Sequence, residues 1–111
     1  MSAITTHVLD TARGVPAAGI PVRLERLDGD SWRLLGSSVT DIDGRCRNLV
    51  ADGIVRGRHR IVFATGPYLA STGVPVFFPE VAVTFEVAVA SEHYHVPLLL
   101  APHSFTTYRG S

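Results

Sequence analysis

The chain has 111 residues, of which 46% are hydrophobic and 18% charged, a length that suits one domain and a balance that excludes an intrinsically disordered chain. Ten Lys and Arg against ten Asp and Glu leave no net charge and no clustered basic patch, which argues against binding nucleic acid by phosphate neutralisation. A single cysteine, Cys46, excludes an internal disulfide and a paired-thiol metal site.

The opening Met1–Asp10 carries no basic leader with a following apolar run, and no stretch reaches the ~18 apolar residues of a membrane span. A cytoplasmic protein with no membrane partner is therefore expected. Strands are predicted at 3–9, 20–27, 31–39, 45–49, 58–64, 81–90, 93–100 and 103–108, the clearest period-two alternation lying in Val22–Leu27 and Val81–Val89. Between them stand turn signals at Arg13-Gly14, Leu27-Asp28-Gly29-Asp30, Asp41-Ile42-Asp43-Gly44, Ala51-Asp52-Gly53, Thr65-Gly66-Pro67 and Ala101-Pro102. Tyr68–Thr72 alone reads as a short helix. This spacing predicts one all-β domain over residues 1–111, a sandwich or barrel. The alternating Arg56, Arg58 and Arg60 are expected to face solvent, and Pro97, lacking an amide donor, to interrupt its strand's ladder.

Strand geometry points His93 and His95 to one face and Tyr94 and Val96 to the other. An H-x-H pair can hold a metal if a third ligand joins it, and His7 and His103 are the candidates. His7 shares a row with Thr5 and Leu9, opposite Ile4, Thr6 and Val8. Arg45 follows an Asp-x-Asp-Gly turn. Counted from Asp41, a calcium loop would need Gly at its sixth position and Glu at its twelfth; Cys46 and Asp52 stand there, so that reading fails. No G-x-S-x-G elbow or Gly-rich phosphate loop occurs. The remaining kit is His as general base and Arg as anion clamp, which suits activation of water against a carbonyl.

Four segments in order carry a family pattern: Thr6-His7-Val8-Leu9-Asp10, Thr40-Asp41-Ile42-Asp43-Gly44-Arg45, Phe77-Phe78-Pro79-Glu80-Val81, and His93-Tyr94-His95-Val96-Pro97-Leu98-Leu99-Leu100 with the ending Tyr108-Arg109-Gly110-Ser111. Together they resemble the 5-hydroxyisourate hydrolases, transthyretin-like enzymes of urate breakdown. The resemblance implies a transthyretin-like eight-stranded β-sandwich with one short helix, assembled as a homotetramer with each site built across a subunit contact. It implies hydrolysis of the ring amide of 5-hydroxyisourate to 2-oxo-4-hydroxy-4-carboxy-5-ureidoimidazoline, with no metal or other cofactor. Residue by residue, His7, Arg45, His95 and Ser111 take the catalytic positions, and His7, Arg45, Tyr108, Arg109 and Gly110 the substrate contacts. Hormone-carrying transthyretin shares the sandwich but lacks the histidine pair and the YRGS ending. The alternatives are a transthyretin-like protein that binds a small ligand without turnover, or a metal-carrying sandwich built on His93, His95 and one more histidine.

Overall fold

Alternation in the first strand sets the architecture. In the computed structural model, which describes residues 3–50 and 53–111, that strand buries Ile4, Thr6 and Val8 and leaves His7 and Leu9 half-buried. Chain order is β1 (Ile4–Asp10), β2 (Val15–Pro16), β3 (Pro21–Asp28), β4 (Ser31–Val39), β5 (Arg45–Cys46), β6 (Gly57–Phe63), α1 (Gly66–Ser71), β7 (Val81–Val87), β8 (Tyr94–His95), β9 (Leu98–Ala101) and β10 (Ser104–Thr107). One sheet runs β10-β9-β1-β2, with β5 and β8 also pairing with β1; the other runs β4-β3-β6-β7 and is antiparallel throughout. The expected sandwich of two sheets with one short helix is what forms.

The core draws on both sheets. Ile4, Val8, Leu98 and Leu100 belong to the first, and Val22, Leu24, Ile61, Phe63, Val81 and Val87 to the second; all are 2% exposed or less. A fully buried side chain of this kind contributes about 1.5–3 kcal/mol. Helix α1 has Pro at its first turn, where the missing N–H costs nothing. It is tied to β1 through the Tyr68 hydroxyl, which donates to Asp10 Oδ2 at 2.8 Å.

Several elements differ from expectation. The predicted strand 93–100 is two strands, because Pro97 has no N–H for the ladder and the backbone leaves the sheet between His95 and Leu98. Strand 45–49 pairs only at Arg45–Cys46, strand 81–90 stops at Val87, and β2 is too short to carry a period. Among the described residues the expected strands are thus divided into ten paired segments. The helix begins at Gly66 rather than Tyr68. Arg58 is exposed and bridges Glu86 at 2.7 Å, whereas Arg60 is half-buried, pairs with Glu25 and stacks 4.2 Å over the Trp32 ring, so the arginine run is only partly a solvated row. The turn signal at Ala51-Asp52 lies outside the described residues. Among the described residues, no helix is long and apolar enough to cross a membrane.

Candidate active site

The cavity of interest, about 230 Å³, is lined by Thr5, Thr6, Arg45, Arg47, His93, His95 and Ser111. Strand pairing brings these distant segments together. Parallel pairing of β1 with β8 sets Thr5 opposite His95, and antiparallel pairing of β1 with β5 sets His7 opposite Arg45. Residues directly opposite in a ladder project to the same face. The result is a row of Thr5 and His7 flanked by an imidazole and a guanidinium.

The turn before Arg45 fixes its placement. Asp41 Oδ1 accepts from the Asp43 and Arg45 amides at 2.9 and 3.0 Å, and the Gly44 amide closes the turn onto the Asp41 carbonyl at 2.8 Å. The Arg45 amide, then burial acting the other way, then the Asp43 amide and neighbouring arginines, leave the Asp41 carboxyl below its ordinary range. Gly44 has φ +76°, and a Cβ there would collide with the Val8 carbonyl oxygen, so no other residue fits the turn as it stands. Among the described residues, Asp41 pairs with Arg47 at 3.3 Å while the Arg45 guanidinium has no carboxylate partner.

His95 is held on two sides. Its Nδ1 lies 2.8 Å from Thr5 Oγ1, which is also 3.0 Å from His93 Nε2. On another edge, the Gly110 amide donates to the His95 carbonyl at 2.8 Å, and Gly110 packs so closely that an added Cβ would sit 2.6 Å from His95 Cδ2. Burial first, then the positive charges of Arg45, His7 and His93, push His95 below the ordinary imidazole value, against a hydrogen bond to Thr5 that raises it. His95 is thereby biased towards its neutral, basic form near pH 7.

His7 stands beside the cavity rather than in its lining. Its Nε2 lies 2.8 Å from the Asp43 carbonyl oxygen, and since a carbonyl only accepts, that nitrogen carries the proton. Of the expected site residues, Arg45, His95 and Ser111 share the cavity, His7 flanks it, and Gly110 forms the wall behind His95. Tyr108 and Arg109 lie elsewhere. They line a second cleft with Val83, Phe85 and Tyr94, where Arg109 bridges Glu92 at 3.2 Å and sits 4.4 Å over the Tyr94 ring. Residues 108, 109 and 111 lie beyond the last strand, so strand alternation does not set the directions of Arg109 and Ser111. Thr5, Thr6 and Arg47 were not among the expected site residues. Thr5 and Arg47 could have been found by the period-two rule, two residues from His7 and Arg45 respectively. Among the described residues, no third His, Cys, Asp or Glu joins His93 and His95 to make a metal cluster.

Residues 4–110 match the HIUase/Transthyretin family. A curated relative from Caulobacter vibrioides, named 5-hydroxyisourate hydrolase, is 43% identical over an alignment covering 100% of both chains. The solved structure of Klebsiella pneumoniae 5-hydroxyisourate hydrolase superposes with a TM-score of 0.87 at 35% identity, covering 100% of each chain. Sea bream transthyretin in complex with thyroxine superposes at 0.91 with 28% identity, over 97% of this chain and 94% of that one.

Proposed function

This chain belongs to the HIUase/Transthyretin family, and from that premise we propose that it hydrolyses 5-hydroxyisourate. The observation that carries the reading is the convergence of Arg45, His95 and Ser111 on one cavity, with His7 paired opposite Arg45. His95 acts as the general base. It takes a proton from water as the water oxygen attacks the ring amide carbonyl, and the carbonyl oxygen becomes anionic. Arg45, without a carboxylate partner among the described residues, and Arg47 beside it, stabilise that charge. Collapse of the tetrahedral centre breaks the C–N bond. The leaving ring nitrogen takes the proton from the His95 imidazolium, the new carboxyl group releases its remaining proton to solvent, and the products are the carboxylate and the ureido group of 2-oxo-4-hydroxy-4-carboxy-5-ureidoimidazoline. His7, its Nε2 proton committed to Asp43, positions substrate or water through its other nitrogen.

Ser111 brings a hydroxyl to the substrate, and Gly110 lets the tail close on His95. Arg109 anchors that tail through Glu92 and the Tyr94 ring and Tyr108 lines the same cleft, while the resemblance implies that both contact substrate. The resemblance also implies a homotetramer and a cytoplasmic enzyme. In support of assembly, β7 and β10 are edge strands with no further partner among the described residues. The transthyretin likeness keeps binding without turnover as the rival. Every side chain lining the cavity carries a hydrogen-bonding group, which suits holding a polar heterocycle together with a water.

The test follows the ultraviolet decay of freshly generated 5-hydroxyisourate with and without protein. His7→Ala, Arg45→Ala, His95→Ala and a chain lacking residues 108–111 should slow it towards the spontaneous rate while still folding. Saturable binding with no acceleration by the unaltered protein would favour the rival, and wild-type rates in all four variants would sink the site assignment.

A further inference from the structure

Thr5 stands between two imidazoles with a single hydroxyl proton. Its Oγ1 is 2.8 Å from His95 Nδ1 and 3.0 Å from His93 Nε2. No other partner of this hydroxyl occurs among the described residues, and Thr5 itself is buried. These counts restrict the proton pattern. If His95 donates from Nδ1, the hydroxyl accepts that proton and gives its own to His93 Nε2, which must then be a lone pair. If His93 donates from Nε2, the hydroxyl turns round and donates to His95 Nδ1, which forces the His95 proton onto Nε2. Were both rings to donate, the hydroxyl proton would be left without an acceptor, a buried-group cost that disfavours the arrangement by roughly tenfold or more.

Of the two patterns that satisfy the hydroxyl, only the first leaves His95 Nε2 as a lone pair, and Nε2 is the ring nitrogen with no protein partner among the described residues on a ring that lines the cavity. We propose that Thr5 is a positioning residue: it accepts the His95 Nδ1 proton and passes its own to His93, so that His95 is a base only while His93 is unprotonated. A proton gained by His93 reverses the relay and converts His95 from acceptor to donor without charging it. Loss of activity in acid then has two proton-linked causes, one on each ring. This inference rests on the hydrolase reading for its kinetic consequences and on geometry alone for the tautomer.

The charges that bear on the pair come from every neighbouring element: His7 on β1, Arg45 on β5, Arg47 beyond it, and the terminal Ser111 at the cavity. Positive charge there bears on whether His95 takes a second proton, not on which of its two nitrogens holds the first.

The experiment compares the intact protein with Thr5→Val, a β-branched isostere suited to a strand, and with Thr5→Ser as the conservative control. Ring nitrogen shifts of labelled histidine, followed against pH, report the His95 tautomer without any substrate. The intact protein and Thr5→Ser should hold His95 in the Nδ1–H form at neutral pH and pass to the Nε2–H form as His93 protonates. In Thr5→Val the tautomer should cease to depend on His93. With substrate, Thr5→Val should lose about tenfold or more in kcat with KM little changed, and its acid limb should steepen with one proton rather than two; Thr5→Ser should recover both. An unchanged tautomer titration in Thr5→Val would overturn the relay even if the protein is an active hydrolase. Failure of the intact protein to accelerate 5-hydroxyisourate decay would instead remove the hydrolase reading, and the spectra would still decide the relay.

Discussion

Gly110→Ala puts the tail and the histidine in direct conflict. The new Cβ would lie 2.6 Å from His95 Cδ2, 3.3 Å from its Cγ and 3.4 Å from Pro97 Cγ. Carbon atoms rest at about 3.5–4.0 Å, so something must move by roughly 1 Å. If the ring moves, its 2.8 Å bond to Thr5 lengthens beyond hydrogen-bonding reach; if the tail moves, the 2.8 Å bond from the Gly110 amide to the His95 carbonyl goes instead. A misplacement of about 1 Å at reacting groups can cost ~10²-fold in rate. Stability is touched far less, because one hydrogen bond is worth about 0.5–1.5 kcal/mol. The expected outcome is therefore a loss of about 10²-fold in kcat/KM on fresh 5-hydroxyisourate, with a melting temperature lower by no more than several degrees. Wild-type kcat/KM in a normally folded Gly110→Ala protein would mean that the contact between tail and His95 has no part in the chemistry.

Arg45→Ala should lower kcat by about 10²–10³, the range for losing a donor to a developing oxyanion, while leaving thermal stability nearly unchanged, since among the described residues its guanidinium holds no carboxylate. Tyr68→Phe removes the hydroxyl that satisfies the buried Asp10; a hydrogen bond to a charged group is worth about 1.5–3 kcal/mol, so denaturant unfolding should move by that amount, and an unaltered midpoint would contradict the role given to this bond. His59, fully buried with Nδ1 on the Gly57 carbonyl and Nε2 without a partner among the described residues, is driven by burial below the ordinary imidazole value. The unfolded chain takes up that proton near pH 6.5 while the folded protein resists, so the stabilisation is full above that pH and is lost as pH falls through the lowered folded value. His59→Phe, which can keep the packing against Phe85, should flatten the dependence of melting temperature on pH between about 7 and 5; an identical slope would remove His59 as its cause.

Long alternating segments were legible because their two faces meet different surroundings. Strands β3, β4, β6 and β7 fall within a few residues of where the period places them, and the buried row Ile4, Thr6, Val8 is the one the alternation assigns. The two-residue ladders were not, since two residues cannot express a period. Pro97 announced an interruption, and it is where the strand divides. At the site, the shared face of His93 and His95 is a local property and was readable. Their bond to Thr5 is not local. It joins residues 88 and 90 positions apart, and the parallel pairing that makes it depends on how both sheets close. Likewise nothing within the last four residues says that Arg109 turns to Tyr94 while Ser111 turns to the cavity.

The histidines and the tail are held by interactions of unequal strength. Thr5 and His95 ride on β1 and β8, and Ile4, Val8 and Tyr94 of those strands, with Val96 just after β8, are packed into the core, so displacing them means unpacking the sandwich. The final residues have no such backing: one backbone bond from Gly110, an exposed ion pair between Arg109 and Glu92, and the stacking of Arg109 on Tyr94 hold them. Exposed ion pairs contribute little and weaken with salt. Tyr94 links the two regimes, since its ring is 3% exposed beneath Arg109 and its hydroxyl meets the backbone of Ala88 and Val89. On the proposed mechanism, a rigidly held His95 beside a weakly held wall suits a cavity whose reacting group must stay fixed while the group that encloses substrate yields. It follows that a substitution on the core face of β1 should damage folding and activity together, whereas one in the tail should separate them.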